Sequence, residues 1–313
     1  MANLAPVPRI LFLGMPGIFS QTVLEALLVA QAPICAVLLP APAKSAPPVV
    51  QRHPPLINLF VAQELPLLTP FVAQTTLQLA WQHNLPVYEV SRLQAIPVQE
   101  LIRTLAPACA CVACFSKRIP ATLLTIPPLG FLNVHPSLLP DYRGPAPLFW
   151  QLRNGAPHSG VTVHWMDENL DTGDIAEQAP LHLPDGIAGP KADELCAKAG
   201  GELLVKVLKA LADGETLRRP QPAGGTYQPW PQAADFTLST DWSARHAFNF
   251  MRGTAEWQQP YPITVASEQF LLAAALSYTP RDTLAQPFML DGETIHIQLT
   301  PGVLHAQRFG TGV

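Results

Sequence analysis

FLNVHPSLLPDYRGPAPLFWQLRNGAPHSGVTVHWMDENLDTGDI, residues 131–175, opens on an apolar run, Phe131 to His135, in which Asn133 and His135 stand two apart. Strand alternation turns both side chains to one face. The run stops at Pro136, and Ser137-Leu138-Leu139-Pro140 leads the backbone away as an irregular loop. A second strand-like run, Val161 to Met166, ends in the acidic turn Asp167-Glu168-Asn169-Leu170-Asp171-Thr172-Gly173-Asp174. An amide, an imidazole and a carboxylate are thereby expected at the ends of two strands, where open α/β sheets keep their sites. The trio suits acyl transfer, with a donor for a developing oxyanion, a proton carrier and an acid to orient it.

Upstream, Arg9 to Gly14 reads as a buried strand, and the turn Met15-Pro16-Gly17 leads into a helical pattern through Leu24, Leu27 and Leu28. A lone Gly14-x-x-Gly17 is a weak nucleotide signal and reads as the start of a wound sheet. Cys35 to Leu39, Leu85 to Val90 and Cys109 to Phe115 are further strands, with helices at Thr75 to His83 and Pro97 to Leu105. The prolines of residues 40–72 make part of that segment an extended loop. Cys109, Cys111 and Cys114 lie in a near-continuous apolar run, which suits a buried parallel strand better than a metal set.

Ala192 to Ala212 has helical spacing and closes this region at Asp213-Gly214. Strands alternating with helices over this length predict an α/β fold with a doubly wound, mostly parallel sheet. Residues 213–234, rich in Pro and Gly, read as a linker. The helical stretch Ser243 to Met251 and β-type runs at Phe270 to Leu276 and Thr294 to Leu299 follow. The expected layout is a catalytic domain over 1–212, a linker over 213–234 and a small β-rich domain over 235–313.

The chain's 313 residues leave room for two cores. Only 13% are charged, yet 48% are hydrophobic, which excludes a disordered chain. The net charge of −4 and the lack of a long Lys/Arg run argue against non-specific nucleic-acid binding. Every long apolar run is broken before about 18 residues, so no membrane span is expected. The N-terminal stretch lacks the pattern of a signal peptide, and five cysteines fit a reducing compartment, so a cytoplasmic location is the default.

The two hallmark segments, Asn133-Val134-His135-Pro136-Ser137-Leu138-Leu139-Pro140 and Leu170-Asp171-Thr172-Gly173, resemble those of the 10-formyltetrahydrofolate-dependent formyltransferases. The resemblance implies a Rossmann-like formyltransferase domain followed by a small open β-barrel, OB-like in kind, with Asp241-Trp242-Ser243 at its entry. It implies 10-formyltetrahydrofolate as co-substrate and no metal. It also implies catalytic roles for three residues: Asn133 holds the oxyanion, His135 moves protons, and Asp171 orients His135 or a relaying water. Ser137, Leu138, Leu139 and Pro140 resemble the family's folate-contacting loop. Arg118 and Ile119 occupy the place of its main-chain pterin contacts, and Leu170 and Thr172 would close the opposite wall.

The acceptor implied by overall length and layout is the amino group of methionyl-tRNA, the initiator species included. Two departures point elsewhere. The segment Ala41 to Pro48, which would enter an RNA acceptor arm, is nearly chargeless, and from residue 215 onward acids outnumber bases. A phosphate-tracking surface shows the opposite balance. A nucleotide-linked amino sugar or water therefore stays open as acceptor, and a non-catalytic folate- or RNA-binding protein is the remote alternative.

Overall fold

The computed structural model describes residues 7–41, 47–54, 75–156 and 158–309. The nearly chargeless segment within Ala41 to Pro48 and the later part of the Pro-rich 40–72 stretch lie largely outside the described residues. Two compact units appear, each assembled from separate segments. One comprises the described residues of Met1–His135, Val161–Ala179 and Cys196–Ala223; the other comprises those of Pro136–Gly160, Pro180–Leu195 and Gly224–Val313. Among the described residues no helix is long and apolar enough to cross a membrane.

The first unit is built on β1 (Ile10–Gly14), α1 (Ile18–Val29), β2 (Ile34–Pro40), β3 (Val49–Arg52), α2 (Thr76–Gln82), β4 (Val87–Val90), α3 (Ile96–Leu105), β5 (Cys109–Ala113), α4 (Ala121–Leu124) and β6 (Phe131–His135). After α5 (Pro147–Arg153), strands β7 (Ser159–Trp165) and β8 (Ile175–Leu181) complete an eight-stranded sheet in the order β3-β4-β2-β1-β5-β6-β7-β8. The inner strands β4, β2, β1, β5 and β6 pair in parallel, so the doubly wound, mostly parallel sheet is as expected. β3 and β7 pair antiparallel with β4 and β6. β3 was expected as extended loop; Pro47-Pro48 precede it, and such a segment fits a sheet edge, where missing N–H donors cost no ladder bond.

The apolar runs become strands because both faces are covered. Ile10, Leu11, Phe12 and Leu13 are fully buried, as are Cys109 and Cys111 of β5. On one face Leu11, Leu13, Leu38 and Ala110 pack with Val98 and Ile102 of α3. Each such aliphatic side chain contributes roughly 1.5–3 kcal/mol by leaving water. α2 starts where the Thr75 side chain accepts a hydrogen bond from the Gln78 amide and the Gln78 side chain accepts one from the Thr75 amide. A cap of this kind is worth about 1 kcal/mol. The Gly14-to-Gly17 turn is stapled by Ser20, whose hydroxyl donates to the Ala113 carbonyl at 2.6 Å and accepts from the Met15 amide at 2.8 Å.

α6 (Gly189–Ala212) crosses the back of β6 through a glycine. A methyl group at Gly200 would stand 2.3 Å from Val134 Cγ1 and 3.0 Å from Val161 Cγ2, both stiff β-branched side chains in the sheet. The even-numbered face of β6 is thus sealed by this helix, and Asn133 and His135 occupy the other.

The second unit holds α7 (Ala244–Gly253), β9 (Tyr261–Val265), β10 (Glu268–Thr279), β11 (Phe288–Asp291), β12 (Thr294–Gln298) and β13 (Val303–Arg308). The strands form a five-stranded antiparallel sheet, β11-β12-β13-β10-β9. β10 pairs with β9 through Glu268 to Leu272 and with β13 from Leu272 onward, with two register shifts, so the sheet curls as an open half-barrel. Its inner face packs on an aromatic cluster in which Phe149 of α5 meets Phe236 at 5.1 Å and Phe250 of α7 at 5.5 Å. Ser243 caps α7, its hydroxyl accepting from the His246 amide at 3.1 Å.

Replacing a helical Gly by Ala ordinarily stabilises by about 0.8–1 kcal/mol. At Gly200 the overpacking against Val134 reverses the sign, and Gly200→Ala is expected to cost about 1–3 kcal/mol. A urea midpoint lower than that of the wild type checks it; an unchanged or higher midpoint contradicts the packing described.

Candidate active site

β6 and β7 place side chains on each other by register. Asn133 lies directly opposite His164, and His135 directly opposite Thr162. Directly paired residues share a face, so Asn133, His135, Thr162 and His164 make one polar patch whose reverse side is Val134, Val161 and Val163. Because the two strands run antiparallel, their carboxyl ends point in opposite directions along the sheet. Asp171 reaches the patch because the turn after β7 folds back on itself, the Trp165 amide donating to the Asp174 carbonyl at 2.8 Å.

Asp171 stands between two imidazoles. Its Oδ2 is 3.8 Å from His135 Nδ1, and its Oδ1 is 3.5 Å from His164 Nε2. His135, His164 and Asp171 are all buried, while Asn133 is half-buried. His164 Nδ1 lies 3.0 Å from the Trp165 carbonyl oxygen. A carbonyl only accepts, so this nitrogen carries a proton; with the ring neutral, Nε2 is then an acceptor. Asn133 Nδ2, 3.1 Å from that Nε2, is therefore the donor. The contact fixes which way the amide faces, and the second N–H of Asn133 remains for another acceptor.

The turn itself is pinned. Gln221 Nε2 donates to the carbonyls of Asp171 and Gly173, each at 2.8 Å. A Cβ on Gly173 would stand 1.9 Å from the Trp165 carbonyl oxygen, so only glycine permits the fold-back. Asp171 has φ 56°, a left-handed conformation that Asp and Asn tolerate better than other side chains.

The remaining predicted residues divide between the units. Arg118 ties its segment to the acidic turn, its guanidinium donating to the Glu168 carbonyl. Ile119 is buried, leaving its backbone as the usable part. Leu170 is exposed at the tip of the turn, and the Thr172 hydroxyl donates to the Asp167 carboxylate at 2.8 Å. Ser137, Leu138, Leu139 and Pro140 belong to the second unit, where the Ser137 hydroxyl donates to the Asp141 carbonyl at 2.7 Å and Leu139 is buried. Gln151 holds the start of that loop, donating to the Pro136 carbonyl at 2.8 Å.

Sequence reasoning missed His164 and Gln221. A signal for His164 existed: in Val161-Thr162-Val163-His164-Trp165 the apolar residues alternate with Thr and His, which sets His164 on the polar face. Gln221 sits in the linker-like stretch, and no local pattern marks it.

A wound sheet and an open antiparallel half-barrel also make up the fold of a solved formyl transferase. The chain matches the model of the formyl transferase family over residues 20–208, more than half its length, and belongs to that family. Among its relatives, a methionyl-tRNA formyltransferase of Pelotomaculum thermopropionicum is 38% identical over 181 residues, 58% of each chain. One from Desulforamulus reducens is 32% identical over 257 residues, 82% of this chain and 74% of its own length. The match thus spans less than two thirds of the first relative. In fold, the chain is similar to WlaRD, a sugar 3N-formyl transferase solved with dTDP and 5-N-formyl-THF, with a TM-score of 0.64 at 15% identity over 98% of this chain and 99% of that one. HypX from Aquifex aeolicus in complex with tetrahydrofolic acid gives a TM-score of 0.57 at 17% identity over 96% of this chain and 43% of that one.

Gln221→Ala removes the donor shared by two turn carbonyls. Amide hydrogen exchange over Leu170 to Asp174 is expected to accelerate, by about tenfold for a loss of roughly 1.4 kcal/mol, within the range for a hydrogen bond. Unchanged exchange there would show that Gln221 does not hold the turn.

Proposed function

We propose that the chain transfers a formyl group from 10-formyltetrahydrofolate to an amine, the best acceptor being the amino group of methionyl-tRNA. The observation that carries this is the polar patch of β6 and β7, in which the Asn133 amide meets His164 and Asp171 lies beside His135. In this reading the acceptor nitrogen attacks the formyl carbon, and its carbonyl oxygen takes up the charge. Asn133 donates its second N–H to that oxygen. His135 and Asp171 handle the proton that leaves the amine and the one that the departing folate nitrogen gains, directly or through a water.

The folate-contact candidates are, in the first unit, the backbone at Arg118 and Ile119 and the turn at Leu170 and Thr172, and, in the second unit, Ser137, Leu138, Leu139 and Pro140. The fit rests on chemistry present in these residues: Leu170, exposed, offers apolar surface to a flat ring system. The reading keeps 1–212 as the catalytic domain, 213–234 as linker and 235–313 as the β-rich domain, and a cytoplasmic site of action.

The tRNA acceptor is supported by the names of the relatives at 32–38% identity. A second reading, with a nucleotide-linked amino sugar or water as acceptor, is favoured by the charge balance from residue 215 onward and by the sparse charge of the chain.

Purified protein supplied with 10-formyltetrahydrofolate is expected to release tetrahydrofolate with methionyl-tRNA and not with buffer or an amino-sugar nucleotide. Release with the sugar moves the acceptor, equal release without any acceptor indicates hydrolysis, and no release under any condition contradicts the proposal. Asn133→Ala is expected to lower kcat by about 10²–10³, the usual loss for one oxyanion donor. Asp171→Asn keeps a residue that tolerates the left-handed turn while deleting the charge, so a loss of activity with an unchanged melting temperature assigns the effect to the carboxylate. Full activity in either variant would sink the assignment.

A further inference from the structure

We propose that His296 and His305 form a two-imidazole site for a divalent first-row transition ion of the zinc, nickel and copper kind, on the outer face of the five-stranded sheet. The two residues are direct register partners on the antiparallel strands β12 and β13. Their Nδ1 atoms converge to 2.5 Å, with ring centroids 4.8 Å apart and planes at 74°. Two nitrogens at this separation share one proton or give way to a cation between them.

The backbone under the rings is anchored. Ile295 and Ile297 flank His296, Leu304 and Ala306 flank His305, and all four are fully buried on the opposite face. Both rings are half-buried, so an ion reaches them without local unfolding. A tetrahedral ion at about 2.0–2.1 Å from each nitrogen sets the pair about 3.3 Å apart, so the rings need open by only about 1 Å. Neutral imidazole is the ligating form.

The same cross-strand row carries Met289 beside His296 and Ser277 beside His305. Among the described residues no group of three or more His, Cys, Asp and Glu side chains is placed to hold an ion. The protein therefore supplies two nitrogens here and water completes the shell. Such a site is open and exchangeable, and its direct effect is to clip β12 to β13.

The test is calorimetric titration of the full chain with Zn²⁺, alongside thermal melts. Wild type is expected to bind one equivalent at this site with a rise in melting temperature. Removing either ligand by His296→Gln or His305→Gln should weaken binding by at least the roughly 10–100-fold that loss of a mere supporting group costs at metal sites. His164→Gln, on the other histidine cluster, should leave that equivalent intact. Wild-type affinity in either single variant, or wild-type binding no tighter than that of the double variant, overturns the proposal. Imidazole ¹⁵N spectra of the wild type supply a readout that needs no variant: both Nδ1 resonances should move on adding Zn²⁺, and unmoved resonances overturn it equally.

Discussion

The position of one carboxylate organises the candidate site. Asp171 is almost wholly buried, in a left-handed backbone conformation, within 4 Å of two imidazoles. Burying a carboxylate away from water is costly unless partners offset it, and the left-handed backbone adds about 1–2 kcal/mol for most residues. The turn persists because three independent features hold it: the close approach allowed by Gly173, the two hydrogen bonds from Gln221, and the return of Asp174 to Trp165. Local strain held in place by surrounding structure is the usual mark of a functional segment.

The rest of the first unit serves to keep the facing residues still. β6 and β7 pair in a register that puts Asn133 against His164, and α6 seals the far side through Gly200. Asn133 and His135 therefore project from a sheet whose other face cannot move without breaking packed valines. A site on strands backed by a helix holds its geometry better than one built on loops. The amide of Asn133 is oriented by a neighbour, His164, whose own proton is fixed by a backbone carbonyl, so the orientation traces back to the fold itself.

Legibility in the sequence followed the strength of local patterning. The continuous apolar runs of β1, β2 and β5 and the spacing of α3 and α6 announced themselves, as did Asn133, His135 and Asp171 through their motifs. β3 hid behind prolines, and α5, whose first residue is Pro147, hid in the same way, since proline-rich text reads as loop. β8, with Glu177, Gln178 and Pro180, lacks the apolar content of an inner strand. The antiparallel turn of β7 against β6 depends on a non-local pairing that no window contains. His164 was missed as a consequence, since its role appears only once that register is known, and Gln221 acts across about fifty residues of chain. The two tightest glycines, Gly173 and Gly200, are likewise explained by atoms far from them in sequence.

The central claim is that His164 presents an unprotonated Nε2 to Asn133 and thereby fixes which way its amide faces. Imidazole ¹⁵N spectroscopy at neutral pH reports it most directly. The account predicts His164 in the Nδ1–H tautomer, with Nε2 at the shift of a hydrogen-bond acceptor that moves when Asn133 is replaced by Ala. A ring protonated on Nε2 alone, or one indifferent to Asn133, would contradict it.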